Sequence, residues 1–294
     1  MTIRLRRFAS NPLIAVGQHA DLGNNINGPS VIRVPKWVDA PLGRYYMYFA
    51  HHDGDYIRLA YSDSPEGPWQ VHKGGVLPLA SSSFKGHIAS PDVHVIDELQ
   101  EIRMYYHGSD APTSDFDAPQ FSRLAISNNG LDFVAREESL GNSYLRVFRY
   151  ANTWYALAMP GIFYRSTNGM TNFEVGPTLF TEHMRHSAVH VQDNTLQVIY
   201  TNVGDAPESL LLSTIDLAAD WLQWKASEPA LLLKPEFSYE GADVACIASV
   251  RGMSVVARNE LRDPAHFVDG DKHYLYYSIA SEQGIAGASL LASL

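Results

Sequence analysis

Acidic, basic and imidazole side chains recur at the points where apolar strands begin or end. Two of the acids, Asp92 in SPDVHV and Asp263 in LRDPAHF, each neighbour a proline. Other polar side chains at strand starts or ends are Asn27, His51, His52, His87, Arg146, Arg185, His186 and Arg262. Carboxyl groups in different environments can act as acid and base, and imidazoles exchange protons near neutral pH. The pattern therefore indicates acid/base chemistry, provided that the fold brings these positions together.

The elements that would position these side chains are short β-strands in a repeat. Apolar strands are separated by Gly, Pro, Asn and Asp, and helical spacing is almost absent. One unit of four strands recurs, with approximate bounds 27–72, 87–138, 143–177, 185–227 and 241–290. Repeats of about 40 to 50 residues with four strands each are typical of a β-propeller, because no blade buries its faces alone. The sequence predicts an all-β chain, folded over 1–294 as a single five-bladed β-propeller with four-stranded antiparallel blades around a central channel.

Two parts of the chain depart from the repeat. The fifth unit lacks an outer strand, which ring closure would supply from the N-terminal residues. Segment 228–259 interrupts the period and is expected to be either an extended loop between blades or a strand pair at the channel. The preceding segment, WLQWKAS (221–227), is expected to be the outer strand of the fourth unit. A large β-sandwich is the alternative, but it does not require repetition blade by blade.

Composition narrows the classes of partner. The chain has 22 basic and 32 acidic residues and a formal net charge of −10, which disfavours nucleic acid. No run of eighteen apolar residues predicts a membrane span, and no signal peptide is visible, so we expect a cytoplasmic protein. The single cysteine, Cys246, excludes an internal disulfide and is expected to be an inert buried thiol. The sequence does not indicate an oligomeric state.

The chain resembles the five-bladed propeller glycoside hydrolases of family 43 and its relatives, families 32, 62, 68, 117 and 130. LRDPAHFVD (261–269) and ASPDVHV (89–95) resemble the Asp-Pro and Ala-Pro-Asp strand starts of these enzymes. EGAD (240–243) resembles the segment whose Glu is the proton donor in family 43. Two departures indicate a divergent member: Gly28 precedes Pro29 where the family has its general-base Asp, and LRDP lies in the fifth unit.

The resemblance implies a catalytic set of Asp92, Glu240 and Asp263. Asp92 and Asp263 are predicted as base and orienting acid in either order, and Glu240 as proton donor, with Asp243 and Glu260 in reserve. Substrate-binding roles are predicted for Asn27, His51, His52, His87, Arg146, Arg185, His186 and Arg262. His94, His190 and His266 are expected to be structural, whereas Trp37 and Phe84 are candidates to stack on a sugar. No metal ligands and no cofactor are assigned, although the resemblance leaves room for a calcium or sodium ion in the channel.

The predicted function is hydrolysis of a terminal glycosidic bond in a small oligosaccharide, with inversion by analogy to family 43. One alternative is a glycoside phosphorylase, in which Arg146, Arg185, Arg262 and His186 would surround phosphate. The other is a carbohydrate-binding propeller without catalysis. The absence of the general-base aspartate from the first unit favours this alternative.

Overall fold

The computed structural model describes residues 4–52, 54–111 and 118–291, and within them the strands form five antiparallel sheets. The N-terminal segment contributes β1 (Arg4–Arg7) and β2 (Ile14–Ala15). Blade 1 contains β3 (Asn27–Arg33), β4 (Tyr45–Ala50), β5 (Tyr56–Ser62) and β6 (Gln70–Pro78). Blade 2 contains β7 (His87–Ile96), β8 (Glu101–Ser109), β9 (Phe121–Ser127), β10 (Val134–Ala135) and β11 (Gly141–Asn142).

Blade 3 contains β12 (Arg146–Tyr150), β13 (Thr153–Ala158), β14 (Ile162–Ser166) and β15 (Glu174–Thr178). Blade 4 contains β16 (Met184–Gln192), β17 (Thr195–Asn202), β18 (Leu210–Asp216) and β19 (Ala230–Leu233). Blade 5 contains β20 (Arg262–Asp269), β21 (Lys272–Ile279) and β22 (Gly284–Leu291). Short 3-10 helices span Ala20–Leu22, Leu79–Ser81, Asp97–Leu99, Trp221–Gln223 and Ser238–Glu240. Among the described residues, no helix has the length and hydropathy needed to cross a bilayer.

The two ends of the chain meet in blade 5. Strand β1 pairs antiparallel with β22, from Arg4 opposite Leu291 to Arg7 opposite Ala288. The outer strand that the fifth repeat lacks is therefore supplied by the N-terminus, and the ring closes. The predicted all-β fold, a five-bladed propeller, is confirmed.

The core consists of five apolar clusters, one between each pair of neighbouring blades. Strand β4 shows why the sequence produces them: Tyr46 and Tyr48 pack toward blade 2, whereas Tyr45, Met47 and Phe49 pack toward blade 5. Successive strand residues point to opposite faces, and here both faces are buried. A strand covered on both sides is apolar throughout, and it gains stability only when both neighbouring blades are present.

The outer strand of blade 4 differs from the prediction. Trp221 begins a 3-10 helix instead of a strand, because Trp221 and Trp224 both pack into the cluster between blades 3 and 4 and their spacing of three fits that helix. The outer strand is β19, which pairs with β18 at Leu210 and Leu233. The chain then runs over the surface, where Cys246 is exposed, so the expectation of a buried thiol is wrong.

Each blade has a residue with positive φ near the start of its inner strand, between two residues before the first strand residue and the fourth residue of the strand. The angles are +61° at Gly28, +43° at Ser90, +59° at Tyr144, +44° at His186 and +46° at Asp263. Positive φ is strained for residues with a side chain and tends to be kept where a site depends on it. A Cβ on Gly28 would lie 2.8 Å from Ser90 Cα, the Tyr144 and His186 rings are 4.7 Å apart, and His186 contacts Asp263. These five residues therefore surround the channel at one end, here called the upper end.

Candidate functional site

A cavity of about 460 Å³ lies at the upper end of the channel. Three of the predicted substrate-binding residues, His52, Arg185 and His186, line it together with Tyr144 and Glu282. The remaining lining residues are Ala118, Gln120, Ser143, Met159, Arg251 and Gly252. The volume lies within the range of small-ligand sites.

A buried ionic network reaches this cavity through Arg185 and Glu282. Arg262 lies 2.6 Å from Glu260, 3.3 Å from Glu282 and 3.6 Å from Glu208, and Arg185 lies 2.5 Å from Glu208. All five side chains are buried. Two guanidinium groups face three carboxylates, so the network carries one uncompensated negative charge.

His52 lies where it can balance that charge. Its Nδ1 is 3.4 Å from Glu282 Oε2 and 2.8 Å from the side-chain Nδ2 of Asn27, which leaves Nε2 for the cavity. Burial opposes the charged imidazole, but Glu282 outweighs it and raises the pKa of His52 above 6.5. Burial also opposes the Glu282 carboxylate, yet His52, Arg262 and a hydrogen bond from the Ser254 amide lower its pKa to about 2. Glu282 is thus ionised and holds a proton on His52.

His186 forms a second imidazole–carboxylate pair, with Asp263. His186 Nδ1 lies 3.4 Å from Asp263 Oδ1, which leaves Nε2 for the cavity. Asp263 is fully buried, and burial together with the charge of Glu282 raises its pKa to about 6. Burial and the positive charges of Arg185 and Arg262 lower the pKa of His186 well below 6.5. The Tyr144 ring lies between the rings of His107 and His186, with centres 4.3 and 4.7 Å away and tilted ring planes, so it packs against the His186 imidazole.

The cavity therefore presents two imidazoles with opposite protonation preferences. His52 favours the charged form and can donate a proton, whereas neutral His186, backed by Asp263, can accept one. Groups whose surroundings drive their pKa values apart are the usual mark of an acid and its matching base.

Asp92 lies in another cavity, of about 710 Å³, further along the channel and here called the lower cavity. Its carboxylate lies 2.8 Å from His94 Nε2 and accepts a hydrogen bond from the Val147 amide. Burial raises the pKa of Asp92, but His94 and Arg146 outweigh that effect and lower it. The structure does not bring Asp92 and Asp263 to one cavity. Asp263 is the positive-φ residue of blade 5, whereas the equivalent residue of blade 2 is Ser90, and Asp92 lies two residues further along the inner strand.

Glu240 borders neither cavity. Its carboxylate accepts hydrogen bonds from Arg7 Nε at 2.7 Å and Tyr277 Oη at 2.9 Å, in the closing blade. The backbone amides of Glu236 and Phe237 also donate to it. This environment ties β1 to the loop before blade 5 and places Glu240 outside both cavities, so its predicted role as proton donor stays a prediction.

The other predicted substrate-binding residues support the site from behind. Asn27 contacts His52, the buried His51 lies 3.2 Å from Asn24 Oδ1, and the buried His87 faces the His107 ring at 6.2 Å. Arg146 donates to the carbonyl oxygens of Ser187 and Pro91, which joins three inner strands.

Further residues singled out in the sequence lie outside the upper cavity. Of the reserve acids, Asp243 is exposed and Glu260 is paired with Arg262. Trp37 borders the lower cavity and donates to Asp97, while Phe84 packs in the core, so its assignment to sugar stacking is wrong.

Glu282 is the main residue that sequence reasoning missed. It follows β21 in the segment SEQG, which reads as a polar turn. The sequence did carry a signal for Glu282. It follows the second strand of blade 5 as His51 and His52 follow the second strand of blade 1, and those histidines are candidates because of that position. The two strand ends become neighbours only when blades 1 and 5 meet.

The fold also assembles three histidines for which no metal role was predicted. Nitrogen atoms of His190, His266 and His273 lie within 4.8 Å of one another, the one such group of potential ligands among the described residues. Burial and the neighbouring imidazoles lower the pKa of His190 to about 4 and that of His266 to about 3. Calcium and sodium prefer oxygen ligands, so this cluster does not suit the ion that the resemblance left open.

The propeller has a fold shared with glycosidases. A family 43 enzyme from Xanthomonas citri, solved with xylotriose, matches with a TM-score of 0.63 and 12% identity, over 92% of this chain and 88% of that chain. A structure from family 130 matches with a TM-score of 0.68 and 13% identity, over 98% of this chain and 93% of that chain. Its description says that this family of mannoside phosphorylases contains glycoside hydrolases that target β-1,2 mannosidic linkages in Candida mannan. At such identities the similarity shows the fold.

Sequence similarity places the chain in a family. Uncharacterized protein R118 of Acanthamoeba polyphaga mimivirus is 32% identical over 321 aligned positions, which cover 97% of this chain and 89% of that protein. The chain belongs to the family of this viral protein. No protein-family model matches the sequence.

Proposed function

We propose that this protein hydrolyses a terminal glycosidic bond of a small oligosaccharide bound in the upper cavity. The observation that carries the proposal is the pairing of His52 with Glu282 and of His186 with Asp263 on one cavity, with opposite pKa shifts of the two imidazoles. The fold shared with enzymes solved with xylose and xylotriose supports a sugar as substrate.

In the proposed reaction, His52 donates its Nε2 proton to the glycosidic oxygen as the bond to the anomeric carbon breaks. A water molecule on the opposite face of the sugar bonds to that carbon and loses a proton to Nε2 of His186. Asp263 stabilises the imidazolium that forms on His186, which then releases its proton to solvent. His52 takes up a proton from solvent, and Glu282 stabilises the charge that this restores. Attack from the opposite face inverts the anomeric configuration.

Hydrolysis is favoured over phosphorolysis because two of the arginines predicted to surround phosphate, Arg185 and Arg262, are already paired with carboxylates. Arg185 and Arg262 are held by Glu208, Glu260 and Glu282, so neither is available to bind a phosphate dianion. A phosphorylase needs several unpaired cations around the attacking position.

The test is a screen of aryl glycosides and oligosaccharides with and without phosphate. We expect turnover that does not require phosphate, and a loss of about 10²- to 10⁴-fold in kcat for His52→Gln and for His186→Asn. His183→Gln serves as the matched control, since His183 is exposed and outside the cavity. Sugar binding without turnover would favour a carbohydrate-binding propeller, and phosphate-dependent product would favour the phosphorylase.

A further inference from the structure

We propose that His190, His266 and His273 form a binding site for a late first-row divalent metal ion, with Zn²⁺ as the expected ion. The site lies between blades 4 and 5, away from the proposed sugar site. His190 belongs to inner strand β16, His266 to inner strand β20 and His273 to the adjacent strand β21. One nitrogen of each imidazole lies within 4.8 Å of the other two.

The spacing of the nitrogens fits a tetrahedral ion. His273 Nδ1 and His266 Nε2 are 3.2 Å apart. Two nitrogens bound to tetrahedral zinc at about 2.0 to 2.1 Å are separated by roughly 3.3 Å. The third ligand is close to the first two: the His190 ring centre lies 4.3 Å from that of His266 and 5.1 Å from that of His273, and one of its nitrogens lies within 4.8 Å of a nitrogen of each.

The ligands stand on rigid elements. His266 and His273 are held in register on paired strands, opposite Leu275 and Val268 respectively, and His190 is opposite Gln197. Ligands that are fixed by a sheet lose little freedom when they bind a metal. Because two ligands come from blade 5 and one from blade 4, the ion would join the two blades.

The donor set selects the kind of ion. Imidazole nitrogens suit zinc, copper and nickel, whereas magnesium and calcium require oxygen ligands. Three protein ligands leave a fourth position for water or for a ligand atom, as in open zinc sites. His266 also borders the lower cavity of about 710 Å³, which gives that position a route to solvent.

The competing explanation is that the three rings are only packed together. His273 and His266 already share one hydrogen bond, and stacked imidazoles fill space between blades. That explanation requires no ion. The two explanations predict different numbers of Zn²⁺ ions bound per chain and different Zn²⁺ affinities for variants that lack one histidine.

The experiment titrates metal-free protein with Zn²⁺, Co²⁺, Mg²⁺ and Ca²⁺ by calorimetry and visible absorption. We expect one Zn²⁺ per chain, a tetrahedral Co²⁺ spectrum that Zn²⁺ abolishes, and no binding of Mg²⁺ or Ca²⁺. His190→Gln and His266→Gln should weaken Zn²⁺ binding by at least about 100-fold, in keeping with the effect of losing a ligand or its support. His183→Gln, the exposed control, should bind as wild type.

Two results would overturn the proposal: less than half an equivalent of Zn²⁺ bound by wild type, or unchanged binding in both cluster variants. The wild-type titration and its Co²⁺ spectrum do not depend on any variant folding. Circular dichroism of each variant confirms that the propeller is intact. A rise in melting temperature with Zn²⁺ in wild type, absent in His190→Gln, would show that the ion joins the blades.

Discussion

His52 and His186 border the same cavity, yet their surroundings favour opposite protonation states. Glu282 stabilises the charge on His52, whereas burial and two arginines exclude charge from His186. A single cavity thus offers a proton donor and a proton acceptor around neutral pH.

The first prediction concerns the pH dependence of activity. The His186–Asp263 pair must be deprotonated, so kcat/KM should rise with pH up to about 6, the pKa of Asp263. It should fall at higher pH as His52 loses its proton, at a pKa above 6.5. Initial rates across pH 4 to 9 measure both limbs. In His52→Gln the alkaline limb should disappear, and its persistence would assign that limb to another group.

The second prediction concerns Asp263 and stability. Its folded pKa of about 6 lies above the ordinary 3.8, so folding disfavours its ionisation. The contribution of Asp263 to the free energy of unfolding should therefore be greatest below about pH 4 and decrease as pH rises to about 6, by roughly 3 kcal/mol. Urea denaturation at several pH values should show this decrease as a pH-dependent difference in stability between wild type and Asp263→Asn.

Asp269 gives the control of opposite sign. Burial raises its pKa, but hydrogen bonds from Tyr45 and Arg33 outweigh that effect and lower it. Asp269→Asn should remove stability that is present at neutral pH and lost as pH falls. A similar pH profile for both variants would contradict the assignment.

The third prediction concerns the narrow contact between blades 1 and 2. Gly28→Ala should destabilise the fold because φ is +61° and the new Cβ would lie 2.8 Å from Ser90 Cα. Gly270→Ala is the matched control, with φ of +63° and no atom within 4 Å of the new Cβ. The control should cost about 1 kcal/mol and Gly28→Ala at least about 1 kcal/mol more. Equal costs in urea denaturation would show that the upper end of the channel is loosely packed.

The fourth prediction separates Glu240 from catalysis. Glu240→Gln breaks a buried pair with Arg7 and should lower the free energy of unfolding by about 3 kcal/mol or more. Glu236→Gln removes a half-exposed carboxylate from the same arginine and should cost less than about 1 kcal/mol. Turnover per folded molecule should be unchanged in both variants. A specific loss of kcat in Glu240→Gln would restore its role as proton donor.

Much of the fold could be predicted from local pattern. Tyr45 to Ala50 is apolar at every position because both faces of β4 are buried, and the four-strand unit repeats along the chain. The error at Trp221 arose because two tryptophans three residues apart face the same cluster, which an alternating pattern does not distinguish from a strand. Cys246 was misjudged because its apolar neighbours, Ile247 and Val250, are exposed on a long loop.

The sequence by itself determined the number of blades, the overall negative charge and the polar positions at the starts of inner strands, since these depend on local order along the chain. Only the tertiary structure decided which of those residues share a cavity. His52 and Glu282 come from opposite ends of the chain, and closure of the ring by β1 brings blades 1 and 5 together. Asp92 and Asp263 have similar sequence surroundings, but a difference of two positions along an inner strand places them in different parts of the channel.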